Sequence, residues 1–82
     1  MSSNIEERVR KVIDENIELE VSAENIEGNK DLVDYGMESV NYMKIVVAIE
    51  NEFDIRFTDE ELVISNFETI DKIVAIIDSK LE

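Results

Sequence analysis

The chain contains no cysteine, no histidine and no proline, and only two glycines among 82 residues. Without cysteine or histidine it can form no disulfide, no zinc site of the usual ligand sets, no thiol nucleophile and no imidazole acid or base. Few enzymes could be built from what remains. Without proline, turns must come from Asn, Asp, Ser and the flexible points Gly28 and Gly36, which favours an all-helical chain. Positive charge is scarce as well: 8 Lys+Arg against 21 Asp+Glu leave a net charge of −13, spread through the chain rather than held in a tail. Such a surface does not suit nucleic acid, because phosphate contacts need cations. An anionic membrane is a poor partner for the same reason. No apolar run reaches the ~18–20 residues of a membrane span, and the first residues lack a basic then apolar signal pattern, so the expected address is the cytoplasm.

What is present is 44% hydrophobic residues, enough to build one core. Residues 1–82 are expected to form a single domain, since two independent cores would need more chain. Ser3-Asn4-Ile5-Glu6 reads as a capping box that starts a first helix. Ile5, Val9, Val12, Ile13 and Ile17 then follow on one stripe. From Glu18 to Glu38 the helical period is lost, and the spacing predicts a long loop pinned by Leu19, Val21, Ile26, Leu32 and Val33. A loop of that length is uncommon in a small domain and calls for a function or a different assignment.

A second helix is predicted from about Ser39 to Glu52, with two apolar lines rather than one. Tyr42, Ile45, Val46, Ile49 and Phe53 make a core face. Val40, Met43 and Val47 make a second line that one small core cannot also bury, and it is expected to be exposed for a partner. Thr58-Asp59-Glu60-Glu61 is a second capping signature before a short apolar stretch, predicting a brief third helix. The last helix is expected from about Thr69 to Lys80, carrying Ile70, Ile73, Val74, Ile77 and Leu81, with end charges suited to its dipole.

Function enters at Gly36-Met37-Glu38-Ser39-Val40. A glycine three residues before a serine, an acid directly before it and an amphipathic helix directly after place a hydroxyl at a helix N-terminus. Free backbone N–H groups and the positive dipole end favour an attached phosphate there. The plainer reading of the same residues is that Ser39 is only an N-cap.

This segment resembles the phosphopantetheine attachment site of acyl and peptidyl carrier proteins, whose usual core is Gly-x-Asp-Ser-Leu. The resemblance extends over nearly the whole chain: Ile5-Glu6-Glu7-Arg8-Val9 opens the first helix in the family's manner, and Asp31-Leu32-Val33-Asp34-Tyr35-Gly36 matches the approach to the site. Ala48-Ile49-Glu50-Asn51-Glu52-Phe53-Asp54-Ile55 is similar to the end of the family's second helix, and Phe67-Glu68-Thr69-Ile70 to the start of its last. The resemblance implies an all-α four-helix bundle, three helices longer and one short, with a long loop between helices one and two.

It also implies that Ser39 carries a covalent 4'-phosphopantetheine arm, taken from coenzyme A in a Mg²⁺-dependent reaction run by a phosphopantetheinyl transferase. The missing thiol would thus come from the cofactor, with Gly36 and Glu38 framing the site and Glu38 standing where the family has Asp. The implied role is a non-enzymatic carrier of acyl or aminoacyl thioesters. Its implied partners are a loading enzyme of ligase or adenylation type and a downstream synthase or transferase. Val40, Met43, Lys44, Val47 and Glu50 are the expected docking residues. Across Glu50 to Glu61 six acids face one base, Arg56. Such a cluster would steer basic partner patches and lose strength with salt. Lys44 departs from the acid common in fatty-acid carriers, and with Glu38, Val40 and Asn41 it points to a dedicated, specialised pathway. The cargo is not encoded in the chain, and self-repulsion favours a monomer.

Three rival readings compete with a carrier. Nucleophilic catalysis by Ser39 lacks a base, since Lys44 lies about 140° around the helix from it. Calcium binding lacks the Asp-x-Asp-x-Asp-Gly loop. An unmodified, carrier-like interaction module would use Val40, Met43 and Val47 and would not need Ser39.

Overall fold

The computed structural model describes residues 2–81, with side chains from Asn4 onward. Three α-helices, α1 (Ser2–Asn16), α2 (Ser39–Phe53) and α3 (Ile70–Leu81), are joined by segments that contain short 3₁₀ turns at Ala23–Asn25, Leu32–Tyr35 and Ile64–Phe67. No strand occurs among the described residues. Helix α1 begins one residue before Ser3, and the Ser3 hydroxyl proposed as its cap lies outside the described side chains.

The predicted stripes are the core. Ile5, Val9, Val12, Ile13 and Ile17 of α1 are buried against Ile45, Val46, Ile49 and Phe53 of α2 and Ile70, Ile73 and Ile77 of α3. Tyr42 and Val74 pack at its edge, whereas Leu81, expected in the stripe, is half exposed at the end of α3. Helix α1 packs on both other helices. Arg8 fastens it to the end of α2: Nε donates to Glu52 Oε2 at 2.9 Å, a terminal nitrogen donates to the Glu52 carbonyl at 2.8 Å, and the guanidinium lies 4.3 Å from the Phe53 ring centroid.

The long first connection is a hydrogen-bonded structure in its own right. Arg10 donates to the carbonyls of Ala23 and Ile26, both at 2.6 Å, while Glu6 holds its other edge. Asp14 accepts from the Ala23 N–H and the Ser22 hydroxyl, each at 2.7 Å. The Glu20 N–H reaches the Tyr35 carbonyl at 2.8 Å, and the Leu32 N–H reaches Glu68 at 2.9 Å, so the segment is bonded to itself and to the start of α3. Ile26 and Leu32 pin it as expected and Leu19 does so partly, but Val21 and Val33 face solvent. Ala23 and Met37 take their places in the core.

The brief helix expected after Thr58 is replaced by a capped turn followed by the 3₁₀ turn Ile64–Phe67. The capping box does form, with the Thr58 N–H donating to Glu61 Oε1 at 2.8 Å and the Glu61 N–H to Thr58 Oγ1 at 3.3 Å. The apolar stretch behind it is too short to continue a helix, and Val63 and Ile64 are left exposed. Lys80 of α3 closes on the same Glu61 oxygen at 2.8 Å.

That lysine hydrogen bond, helped by the Thr58 N–H, holds the Glu61 carboxyl below its ordinary value of 4.5. A depressed carboxyl adds stability that is present above the unfolded-state pKa and lost as pH falls through the folded one. Glu61→Gln is therefore expected to be less stable than wild type at neutral pH. The gap should narrow as pH falls below the ordinary 4.5 and the carboxyl takes up its proton, read from denaturant midpoints across an acid series.

Tyr42 shows the opposite sign. Its ring meets Phe67 edge-on, with centroids 5.5 Å apart at 71°, and its hydroxyl oxygen is buried without a hydrogen-bond partner. Burial pushes the phenol above its ordinary 10.0, so the neutral form is favoured in the fold and stability falls as pH rises past that value. An unpaired buried hydroxyl costs about 1–3 kcal/mol. Tyr42→Phe is expected to stabilise the protein by about 1 kcal/mol, or ~4–8 °C in Tm for a domain of this size, and to remove the alkaline loss due to Tyr42.

Candidate functional site

The first connection ends at the head of α2 through a sequence of backbone constraints. The Leu32–Tyr35 turn closes on Gly36, whose φ of 105° and ψ of 3° lie where a side chain is strained, and whose N–H donates to the carbonyls of Leu32 and Val33. A Cβ there would meet only the Glu20 side chain and backbone at 3.6 Å or more, so the requirement for glycine is conformational rather than spatial. Met37, bonded through its N–H to the Leu32 carbonyl at 3.2 Å, turns its side chain into the core and anchors the segment. Glu38 is extended, with φ −105° and ψ 160°, and is the N-cap residue of α2.

Ser39 is therefore the first helical residue and not the cap. The capping partner of Glu38 is Asn41: its Oδ1 accepts the Glu38 N–H at 3.0 Å, and its own N–H donates to the Glu38 carbonyl at 2.8 Å. Ser39 is exposed, and among the described residues its hydroxyl has no hydrogen-bond partner. The plainer N-cap reading of Ser39 is thus corrected, because capping is done by its neighbours. Asn41 is the residue that the sequence reading missed here. A short amide at the third helical position can replace the usual Glu or Gln of a capping box, and that was the available signal.

Along α2, Val40, Met43 and Val47 are 72%, 52% and 49% exposed, so the second apolar line is on the surface. Lys44 is exposed beside it. Glu50 is placed differently: it is partly buried, and its Oε2 accepts the Phe57 N–H at 2.9 Å, holding the chain after α2. The described residues contain no cluster of three or more acids suited to a metal ion, and no helix long and apolar enough to cross a membrane.

The site is thus a serine hydroxyl exposed at the head of α2 behind a glycine turn. Residues 7–77 match the family described as "Phosphopantetheine attachment site". Acyl carrier proteins of Buchnera aphidicola subsp. Acyrthosiphon pisum, strains 5A and Tuc7, are 35% identical over 78 residues, covering 94% of this chain and 92% of theirs. The chain belongs to the acyl carrier protein family, a family of non-enzymatic carriers on which 4'-phosphopantetheine is covalently attached.

Among solved structures, the chain resembles one in the complex of an engineered Bradyrhizobium japonicum glycine:[carrier protein] ligase with a carrier protein from Agrobacterium tumefaciens and AMP. The TM-score is 0.84 at 25% identity, covering 89% of this chain and 97% of the other. The corresponding ATP complex gives a TM-score of 0.85 at 24% identity, over 90% and 96% of the two chains.

Proposed function

We propose that Ser39 is the attachment residue and that residues 1–82 work as one carrier domain, cytoplasmic and monomeric, serving a dedicated specialised-metabolite pathway. The observation that carries this is the exposed Ser39 hydroxyl at the head of α2, which takes no part in the cap. The residues fit the family's arm. Ser39 stands at the head of α2, and the N-terminal end of a helix favours an anion. Gly36 gives the turn that sets the serine outward.

Within a phosphopantetheinyl transferase, Ser39 Oγ attacks the pyrophosphate of coenzyme A. A new P–O bond forms to Ser39, the pyrophosphate bridge breaks, the nucleotide half leaves, and the hydroxyl proton passes to the transferase. The arm supplies the thiol on which acyl or aminoacyl groups ride as thioesters. This chain's own part is to hold Ser39 at a rigid helix end and to offer a docking surface of Val40, Met43, Lys44 and Val47, with Glu38 and Glu50 at its margins.

Loading is assigned to a ligase or adenylation-type enzyme, a reading supported by the glycine:[carrier protein] ligase bound to the carrier that this fold resembles. A downstream synthase or transferase unloads it. The capped turn at Thr58–Glu61 and the 3₁₀ turn Ile64–Phe67 support reading this segment as the counterpart of the short third helix that the family resemblance implies. The test is intact mass after incubation with coenzyme A, Mg²⁺ and a broad-specificity transferase. A gain equal to one arm is expected, and no gain would leave the chain an unmodified interaction module.

A further inference from the structure

The acids in the body of α2 are both in use inside the molecule. Glu50 accepts the Phe57 N–H and Glu52 holds Arg8. Glu52 is the one exposed acid of α2, and its charge is matched by Arg8. Lys44 lies one turn after Val40 and just under one turn before Val47, so the three share a face with Met43. Met43, Lys44 and Val47, together with Ala48 and Asn51 of α2 and with Glu15 and Asn16 of α1, border a shallow groove. The four ion pairs among the described residues use Arg8, Arg10, Lys72 and Lys80, and none involves Lys44. In a chain of net charge −13, this ridge is an apolar line with one cation outside the ion pairs in its middle, while Asp14, Glu15, Glu18 and Glu38 border the hollow on the far side of Lys44.

We infer that the α2 ridge docks a partner surface made of an apolar stripe flanked by a carboxylate, and that this carboxylate pairs with Lys44. The inference rests on the reading of the chain as a carrier that meets its enzymes over α2. Covering Val40, Met43 and Val47 removes water from around the Lys44 ammonium. Burying that charge without a counterion costs several kcal/mol and cancels the gain from the apolar contact. A lysine or arginine in the partner at that place adds repulsion to the desolvation. Basic partner residues belong further out, where Asp59 and Glu60 are exposed and can steer the approach. One face thus selects against partners that are basic throughout, and the selecting element is a single side chain.

The test uses two synthetic amphipathic peptides of about 18 residues with the same leucine stripe, one flanked by glutamates and one by lysines. Each is titrated into the isotopically labelled apo chain at about 0.3 M salt, where long-range attraction is mostly screened. The glutamate peptide is expected to shift the amides of Val40, Met43, Lys44, Val47 and Asn51. Lys44→Glu should weaken it at least fivefold and bring the lysine peptide onto the same amides. The inference is overturned if the lysine peptide occupies the wild-type ridge as tightly as the glutamate peptide, if Lys44→Glu leaves the glutamate peptide's affinity within twofold, or if neither peptide reaches the ridge. Apo chain carries no arm, so a failure here is distinct from a failure of attachment at Ser39, which the mass assay reads separately.

Discussion

Ser39→Ala is expected to show no mass gain under conditions in which the wild-type chain is fully converted, a complete loss rather than a slowing. No other hydroxyl stands at the head of a long helix behind a glycine turn in the described residues. The same variant should melt within about 0.5 kcal/mol of wild type, because the hydroxyl makes no bond in the fold. The second measurement gives the first its meaning. Were Ser39 a cap, its loss would cost about 0.5–2 kcal/mol, with the cost appearing whether or not a transferase is present. Full loss of modification with unchanged stability assigns the hydroxyl to chemistry. Equal mass gain in both proteins would move the site elsewhere, and lost stability with no gain in either would return Ser39 to a structural role.

The parts legible in the sequence are those governed by helical period. The stripes of α1, α2 and α3 are regular over three or more turns, so the core residues Val9, Ile13, Ile45, Ile49, Ile73 and Ile77 could be placed with no tertiary information. The exposed line Val40, Met43 and Val47 was legible by counting, since two apolar lines compete for one core.

What could not be read is held by contacts without a period. Arg10 looks like a surface charge in a helical pattern, and only the fold brings it under the carbonyls of Ala23 and Ile26. Glu50 belongs to an acidic run in sequence, yet its use is set by one backbone N–H seven residues on. Ala23, Met37 and Phe57 are single apolar residues among polar ones, which gives pattern no purchase, and Val21 and Val33 looked the same and turned outward. At the site, the glycine, acid and serine were legible as a motif. Whether Ser39 was also the cap stayed open in the sequence, because serine at a helix start is so often the cap.

Phe67→Ala is expected to have the largest effect on the fold. Phe67 is fully buried, meeting Tyr42 of α2 edge-on at 5.5 Å and Phe57 edge-on at 5.2 Å, while its own turn packs on α3. It thus connects two helices through a segment with no helical hydrogen-bond ladder of its own to keep its shape. Truncating a buried phenylalanine costs about 3–5 kcal/mol in lost transfer energy and residual cavity. A chain of this length is stable by only about 4–12 kcal/mol in total, so the variant should sit close to its unfolding transition at room temperature. Urea denaturation followed by circular dichroism should show the midpoint falling by half or more. A cost under about 1 kcal/mol would mean that α1 alone organises the core and that the aromatic cluster is incidental. The consequence reaches the site. In the unfolded fraction Ser39 has neither its glycine turn nor the head of α2 behind it, so the rate of mass gain in Phe67→Ala should follow the folded fraction as urea is varied. Tyr42→Phe, which relieves an unpaired hydroxyl in the same cluster, should extend modification to higher urea.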